Sequence, residues 1–139
     1  MHSPILAPVV ALVAWSMVMW LWMYLTRIPA IQKMQMRLDP QAPRGEQMSQ
    51  LPASVRWKAD NYNHLMEQPT LFYAIALALA LMEQGAGINC TLAWAYVGLR
   101  VVHSVLQATW NKIEARFGLF FISSLVLIAL IFNALCAAF

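Results

Sequence analysis

Arg56, Asp60, Asn63 and Glu67 lie at i, i+4, i+7 and i+11, a spacing that puts all four on one face of a helix. The apolar run Leu71–Met82 follows at once. A second hydrophobic stretch, Thr91–Trp110, carries Arg100, His103 and Gln107, again at one-face spacing. Charged groups in a bilayer are expensive and normally face a protein interior or a polar cavity, so by default they mark a site. The two stripes predict one polar pocket built between helices. A guanidinium there can pair with a carboxylate or hold an anion, and Glu67 needs an arginine, a backbone amide or a ligand amine beside it. Each residue also has a structural alternative. Arg100 fits an ion pair or a link to backbone carbonyls, His103 a satisfied core histidine, and Gln107 and Asn111 interhelical hydrogen bonds. Arg56, Lys58, Asp60 and Asn61 fit a solvated face.

The elements that must position these residues are membrane helices. The chain is 61% hydrophobic and only 11% charged, against roughly 25% charged for a soluble domain. Its apolar residues fall into four blocks, Ile5–Leu25, Thr70–Met82, Thr91–Trp110 and Phe117–Phe139. The predicted fold is an all-α integral membrane protein, a four-transmembrane-helix bundle in a single domain, 1–139. Its spans are expected near 5–26, 64–83, 91–110 and 117–138, with a cytoplasmic loop at 27–54. The Thr70–Met82 block is too short to cross roughly 30 Å of hydrocarbon at 1.5 Å per residue, so its span must borrow from the preceding segment. That draws His64 and Glu67 to membrane depth. One helix is expected from Val55 through Met82, N-capped by Ser54 and kinked at Pro69. Pro29 is expected to end the first helix near Arg27, with a short helix at Ala30–Leu38 and a turn at Asn111–Ala115.

Six Lys or Arg lie between Arg27 and Lys58, and Lys112 and Arg116 sit between the last two spans, whereas Glu83–Asn89 has none. The positive-inside rule then places both termini and this hairpin on the non-cytoplasmic side. Trp20, Trp22, Tyr24, Trp57 and Trp110 would form the cytoplasmic aromatic belt, and Trp94 with Tyr96 the opposite one. Topology and anionic lipid account for the net charge of +3, which is no evidence for nucleic acid. Cys90 and Cys136 fall near the same ends of their helices, where a disulfide is open but unspecified by sequence. No metal-ligand spacing or phosphate-binding loop is present.

Four spans, a long first loop and Glu67-Gln68-Pro69 leading into the second span resemble the MAPEG family, membrane-associated proteins in eicosanoid and glutathione metabolism. The segment Asn63-His64-Leu65-Met66-Glu67 is similar to the family's Asn-x-x-Glu motif in helix two, with Asn63 one residue farther from the glutamate. Arg100-Val101-Val102-His103-Ser104 is similar to the Arg-Val-x-His-Thr of its prostaglandin E synthase members. The same ungapped register sets Arg116 on the arginine that opens helix four and is associated with the glutathione thiol. The resemblance implies a homotrimer with sites between subunits, glutathione as cofactor, and a lipophilic small molecule entering from the lipid bilayer. It implies Arg116 as the catalytic residue, since a nearby guanidinium lowers the thiol pKa from about 8.5. It implies Arg56, Asn63, His64, Glu67, Arg100, His103 and Gln107 as cofactor-binding residues.

The chain also departs from the family pattern. Glutathione-dependent members have arginine where Asp60 stands, arginine and asparagine where Asn63 and His64 stand, and tyrosine where Gln107 and Phe120 stand. Arg56 or Arg27 could replace a lost cation. Two functions stay open: a glutathione- or thiol-dependent transferase or peroxidase, and a non-enzymatic lipid-binding or accessory membrane subunit.

Overall fold

The four apolar blocks form helices packed side by side in the computed structural model, which describes residues 2–139. Helix α1 spans Leu6–Lys33, α2 Ala53–Leu65, α3 Pro69–Leu81, α4 Ile88–Thr109 and α5 Ile113–Ala138. Three stretches are long and apolar enough to cross a membrane: α1, α2 with α3 (Ala53–Leu81), and α5. Helix α4 has 22 residues, about 33 Å at 1.5 Å per residue, and it carries the stripe Arg100, His103 and Gln107. It packs against α1, α2 and α5, so its inner face lies among the other helices.

Several helix ends differ from those expected. Helix α1 passes through Pro29 and ends at Lys33, so no separate helix forms at Ala30–Leu38. Pro29 lacks the N–H that would bond to the Leu25 carbonyl, but it lies at an exposed position near the helix end, where the missing bond disrupts little. Ser54 falls inside the first turn of α2, and Pro52 occupies the cap position, its carbonyl accepting from the Val55 and Arg56 N–H groups. Helices α4 and α5 each begin a few residues earlier than predicted, and the early start of α5 shortens the turn between them to Trp110–Lys112.

The expected single helix from Val55 to Met82 is two helices. Pro69 has no N–H to continue the ladder, and Met66–Gln68 tighten into a turn in which the N–H groups of Met66 and Glu67 bond three residues back, to Asn63 and His64. Pro69 then serves as the first residue of α3, where its ring is well tolerated.

The apolar core joins Leu12 and Met19 of α1, Phe72 and Leu79 of α3, Ala93 and Tyr96 of α4, and Leu130 of α5. Tyr96 is fully buried and stacks on Phe72, with ring centroids 4.6 Å apart, so it does not belong to an interfacial belt; Trp94, on the outer face, is exposed. Cys90 and Cys136 are both free thiols. At the α3–α4 hairpin, a Cβ on Gly85 would collide with the Ser3 hydroxyl, so the segment preceding α1 is seated against this glycine.

Candidate functional site

The inner face of α4 is the polar heart of the molecule. Arg100, His103, Ser104 and Gln107 are all buried, as their i, i+3, i+4, i+7 spacing requires once α4 lies among its neighbours. They do not meet the first stripe. Arg56, Asp60, Asn63 and Glu67 do share a face of the chain, and that face is exposed. The side of α2 turned toward α4 instead presents Asn61 and His64. Asn61, expected on a wet surface, is fully buried and donates to Ser104 Oγ at 2.5 Å.

Arg100 Nη2 lies 2.6 Å from His64 Nδ1. A guanidinium can only donate, so Nδ1 accepts and the imidazole proton sits on Nε2. The His64 ring stacks on His103, centroids 4.9 Å apart, and meets Phe120 edge-on at 5.3 Å. The Arg100 guanidinium also lies over Phe120, 5.9 Å from the ring centre. Glu67, predicted within the bundle beside an arginine, is exposed on the single chain. Its place in the interior is taken by Gln68, because the tight turn at Met66–Gln68 rotates the following side chains. Gln68 accepts from the Tyr96 hydroxyl at 3.0 Å and donates to Ser124 Oγ at 2.9 Å.

Arg116 is positioned by the turn before it. Asn111 has φ 55°, a left-handed conformation that asparagine accepts at a helix end, and its N–H closes α4 onto the Leu106 carbonyl. Its side-chain oxygen then accepts a hydrogen bond from Arg116 Nη1. Arg116, His64, His103, Ile113, Phe117 and Phe120 line a cavity of about 200 Å³ between α2, α4 and α5. This cavity combines a guanidinium, the two stacked imidazoles and three apolar walls. Such a set can hold a negatively charged atom at one end of an apolar ligand.

A second cleft, of about 380 Å³, lies between the end of α1, the first loop and α2. Arg27, Arg44, Arg56, Asp60 and Asn63 line it. Asn63 opens on this cleft and its chain neighbour His64 on the other cavity. Arg44, Gln68, Tyr96 and Ser124 were not expected at a site from the sequence. The run of basic residues marked the loop only as a charged surface, and the hydroxyls and amide carried no spacing signal of their own. Among the described residues, no group of three His, Cys, Asp or Glu is gathered to hold a metal ion.

A model of the MAPEG family matches residues 5–136. The chain belongs to the MAPEG family. The match takes in every helix, from the residue before α1 to the last turn of α5. MAPEG proteins are membrane-bound and, in general, glutathione-associated. No curated protein and no solved structure matches the chain significantly.

Proposed function

We propose that this MAPEG protein is a glutathione- or thiol-dependent transferase or peroxidase acting on a lipophilic substrate. The observation that carries the reading is the cavity in which Arg116 and His64 share apolar walls with Phe117, Phe120 and Ile113. Glutathione supplies the sulfur that attacks or reduces the substrate. Arg116 stabilises negative charge on that sulfur, at a place where Asn111 holds the guanidinium in position. His64, its Nδ1 committed to Arg100, offers an Nε2–H donor and not a base. His103 buttresses it by stacking. Ile113, Phe117 and Phe120 lie toward the open side of α5, where a lipophilic substrate would arrive from the bilayer. In a homotrimer, the exposed Glu67 and Arg56 would face a neighbouring copy and bind the ligand from there.

The accessory reading has its own support. Phe120 stands in the cavity wall, and Gln107 lies buried with its carbonyl oxygen unpartnered, so neither supplies a phenol to a sulfur. Titration calorimetry of the detergent-purified protein with glutathione decides between the two. The enzyme reading expects binding in the millimolar range or tighter and the ultraviolet absorbance of a bound thiolate near neutral pH. It also expects Arg116→Ala to lower turnover of an aryl halide or lipid hydroperoxide by about a hundred-fold or more, with binding largely kept. Failure to bind, or binding without a thiolate signal, leaves the accessory reading.

A further inference from the structure

Attack by a thiolate places negative charge first on the sulfur and then on the group that the sulfur displaces. Arg116 answers the first of these. We propose that His64 is a further catalytic residue that answers the second: its Nε2–H hydrogen-bonds to the oxygen leaving the substrate, which favours peroxide bonds over the displacement of halide. This inference rests on the thiol-dependent reading and names the substrate class that the same cavity favours.

The donor is fixed by what lies behind it. Nδ1 of His64 accepts from Arg100 Nη2 at 2.6 Å, so the ring proton is held on Nε2. The other tautomer would set one N–H against another. Arg100 is fully buried and does not line the cavity, so the Nδ1 edge of the ring is turned inward. Nε2 has no partner among the described residues, yet it is not one of the sealed polar atoms, which include Asn61 Oδ1 and His103 Nδ1. It therefore opens on the cavity that the ring lines. The ring cannot swing freely, because His103 stacks on it at 4.9 Å and Phe120 meets it edge-on at 5.3 Å. Arg116, whose Nη1 is committed to Asn111, shares this cavity and brings a separate donor for the sulfur.

A second donor matters for some leaving groups and not for others. A halide departs as a stable, weakly basic anion that needs no proton. In a hydroperoxide the sulfur takes the terminal oxygen: an S–O bond forms as the O–O bond breaks, and the electron pair leaves on the other oxygen as an alkoxide. That oxygen is strongly basic, and a preorganised N–H beside it is worth about 10²–10³ in rate. The guanidinium on Nδ1 polarises the ring and makes Nε2–H a stronger donor. The neutral imidazole keeps its proton. Water at the cavity mouth protonates the alkoxide, which balances the proton released when the thiol ionised. A second thiol then removes the oxygen from sulfur as water and leaves a disulfide, so two thiols are oxidised as one peroxide is reduced to an alcohol.

Two measurements on the full chain in detergent test this role, and the first needs no turnover. Nitrogen NMR of protein labelled at its three histidines should show His64 with Nδ1 bare and Nε2 protonated. Millimolar cumyl alcohol, the product of the peroxide used below, should shift that Nε2–H signal. A proton on Nδ1, or a signal that the alcohol leaves in place, overturns the proposal, whether or not any variant folds. The second measurement compares turnover of cumene hydroperoxide with that of a chlorodinitrobenzene at saturating glutathione. His64→Phe keeps an aromatic ring in the stack and removes the donor, so it should lower peroxide turnover about ten-fold or more beyond any loss toward the aryl halide. His64→Gln, which returns an N–H near the Nε2 position, should recover part of that difference. Equal losses toward both substrates overturn the role of His64 alone. Wild-type protein that shows no bound thiolate and turns over neither substrate overturns the thiol-dependent reading and this one with it.

Discussion

The two ends of the bundle treat their polar side chains in opposite ways. At the α3–α4 hairpin, Asn89 donates to the Gln84 carbonyl at 2.8 Å and accepts from Asn133 at 2.8 Å, which closes α4 onto α5. Midway, Tyr96, Gln68 and Ser124 form a chain of hydrogen bonds among α4, α5 and the turn that opens α3. Toward the other end, Asn61 Oδ1, His103 Nδ1, Gln107 Oε1, Arg100 Nε and Nη1, Arg116 Nε and Arg27 Nε are buried and unpartnered. Among the described residues, only Trp15 Nε1 joins them from elsewhere. A buried polar atom without a partner costs about 1–3 kcal/mol. The hairpin end thus has its polar groups paired within the fold, whereas the proposed binding site beside Arg100 and Arg116 holds donors and acceptors that a ligand would satisfy.

The sharpest way to break this comparison is to ask whether the two ends lie on opposite sides of a membrane. In a background lacking Cys90 and Cys136, Gln41→Cys should be protected from an impermeant thiol reagent in intact cells and Ala86→Cys should be labelled. The reverse labelling would turn the molecule over. Next in size is Asn89→Leu, which strands Asn133 and the Gln84 carbonyl together. It should destabilise the folded protein by about 1–3 kcal/mol in a detergent melt, with ligand affinity unchanged. Tyr96→Phe removes one hydrogen bond from the central chain and should cost about 1 kcal/mol. Smallest in stability is Gln107→Leu. It replaces an amide with an unsatisfied oxygen, so melting should be unchanged or slightly raised while glutathione affinity falls. A destabilisation as large as that of Asn89→Leu would show that the Arg100 end is built for structure as well.

Much of this could be read from residue spacing, and the failures have distinct physical causes. The Arg100–His103–Gln107 face is buried because a regular helix carries its periodicity without interruption. The stripe from Arg56 to Glu67 was also correctly placed on one face, but periodicity does not say whether that face points in or out. Asn61 and His64, one step around the same helix, turned out to be the interior neighbours. Glu67 and Gln68 exchanged places because Pro69 forces a tight turn just where a continuous helix was assumed. Tyr96 reads as an interfacial aromatic by composition, yet its hydroxyl donates to Gln68, itself bonded to Ser124, and the ring can be buried. The Arg44 cleft was illegible for a different reason. It depends on Gln47 reaching back across the loop, a contact between residues with no shared periodicity.

Gly85 sets a practical boundary on how this chain can be handled. Ser3 rests where a side chain on that glycine would stand, so the stretch ahead of α1 is threaded into the hairpin, whereas Phe139 at the other terminus is fully exposed. An affinity handle or fluorescent reporter joined ahead of Ser3 would have to leave through that contact and would pull on the α3–α4 turn. The same cargo attached after Phe139 would hang clear of it.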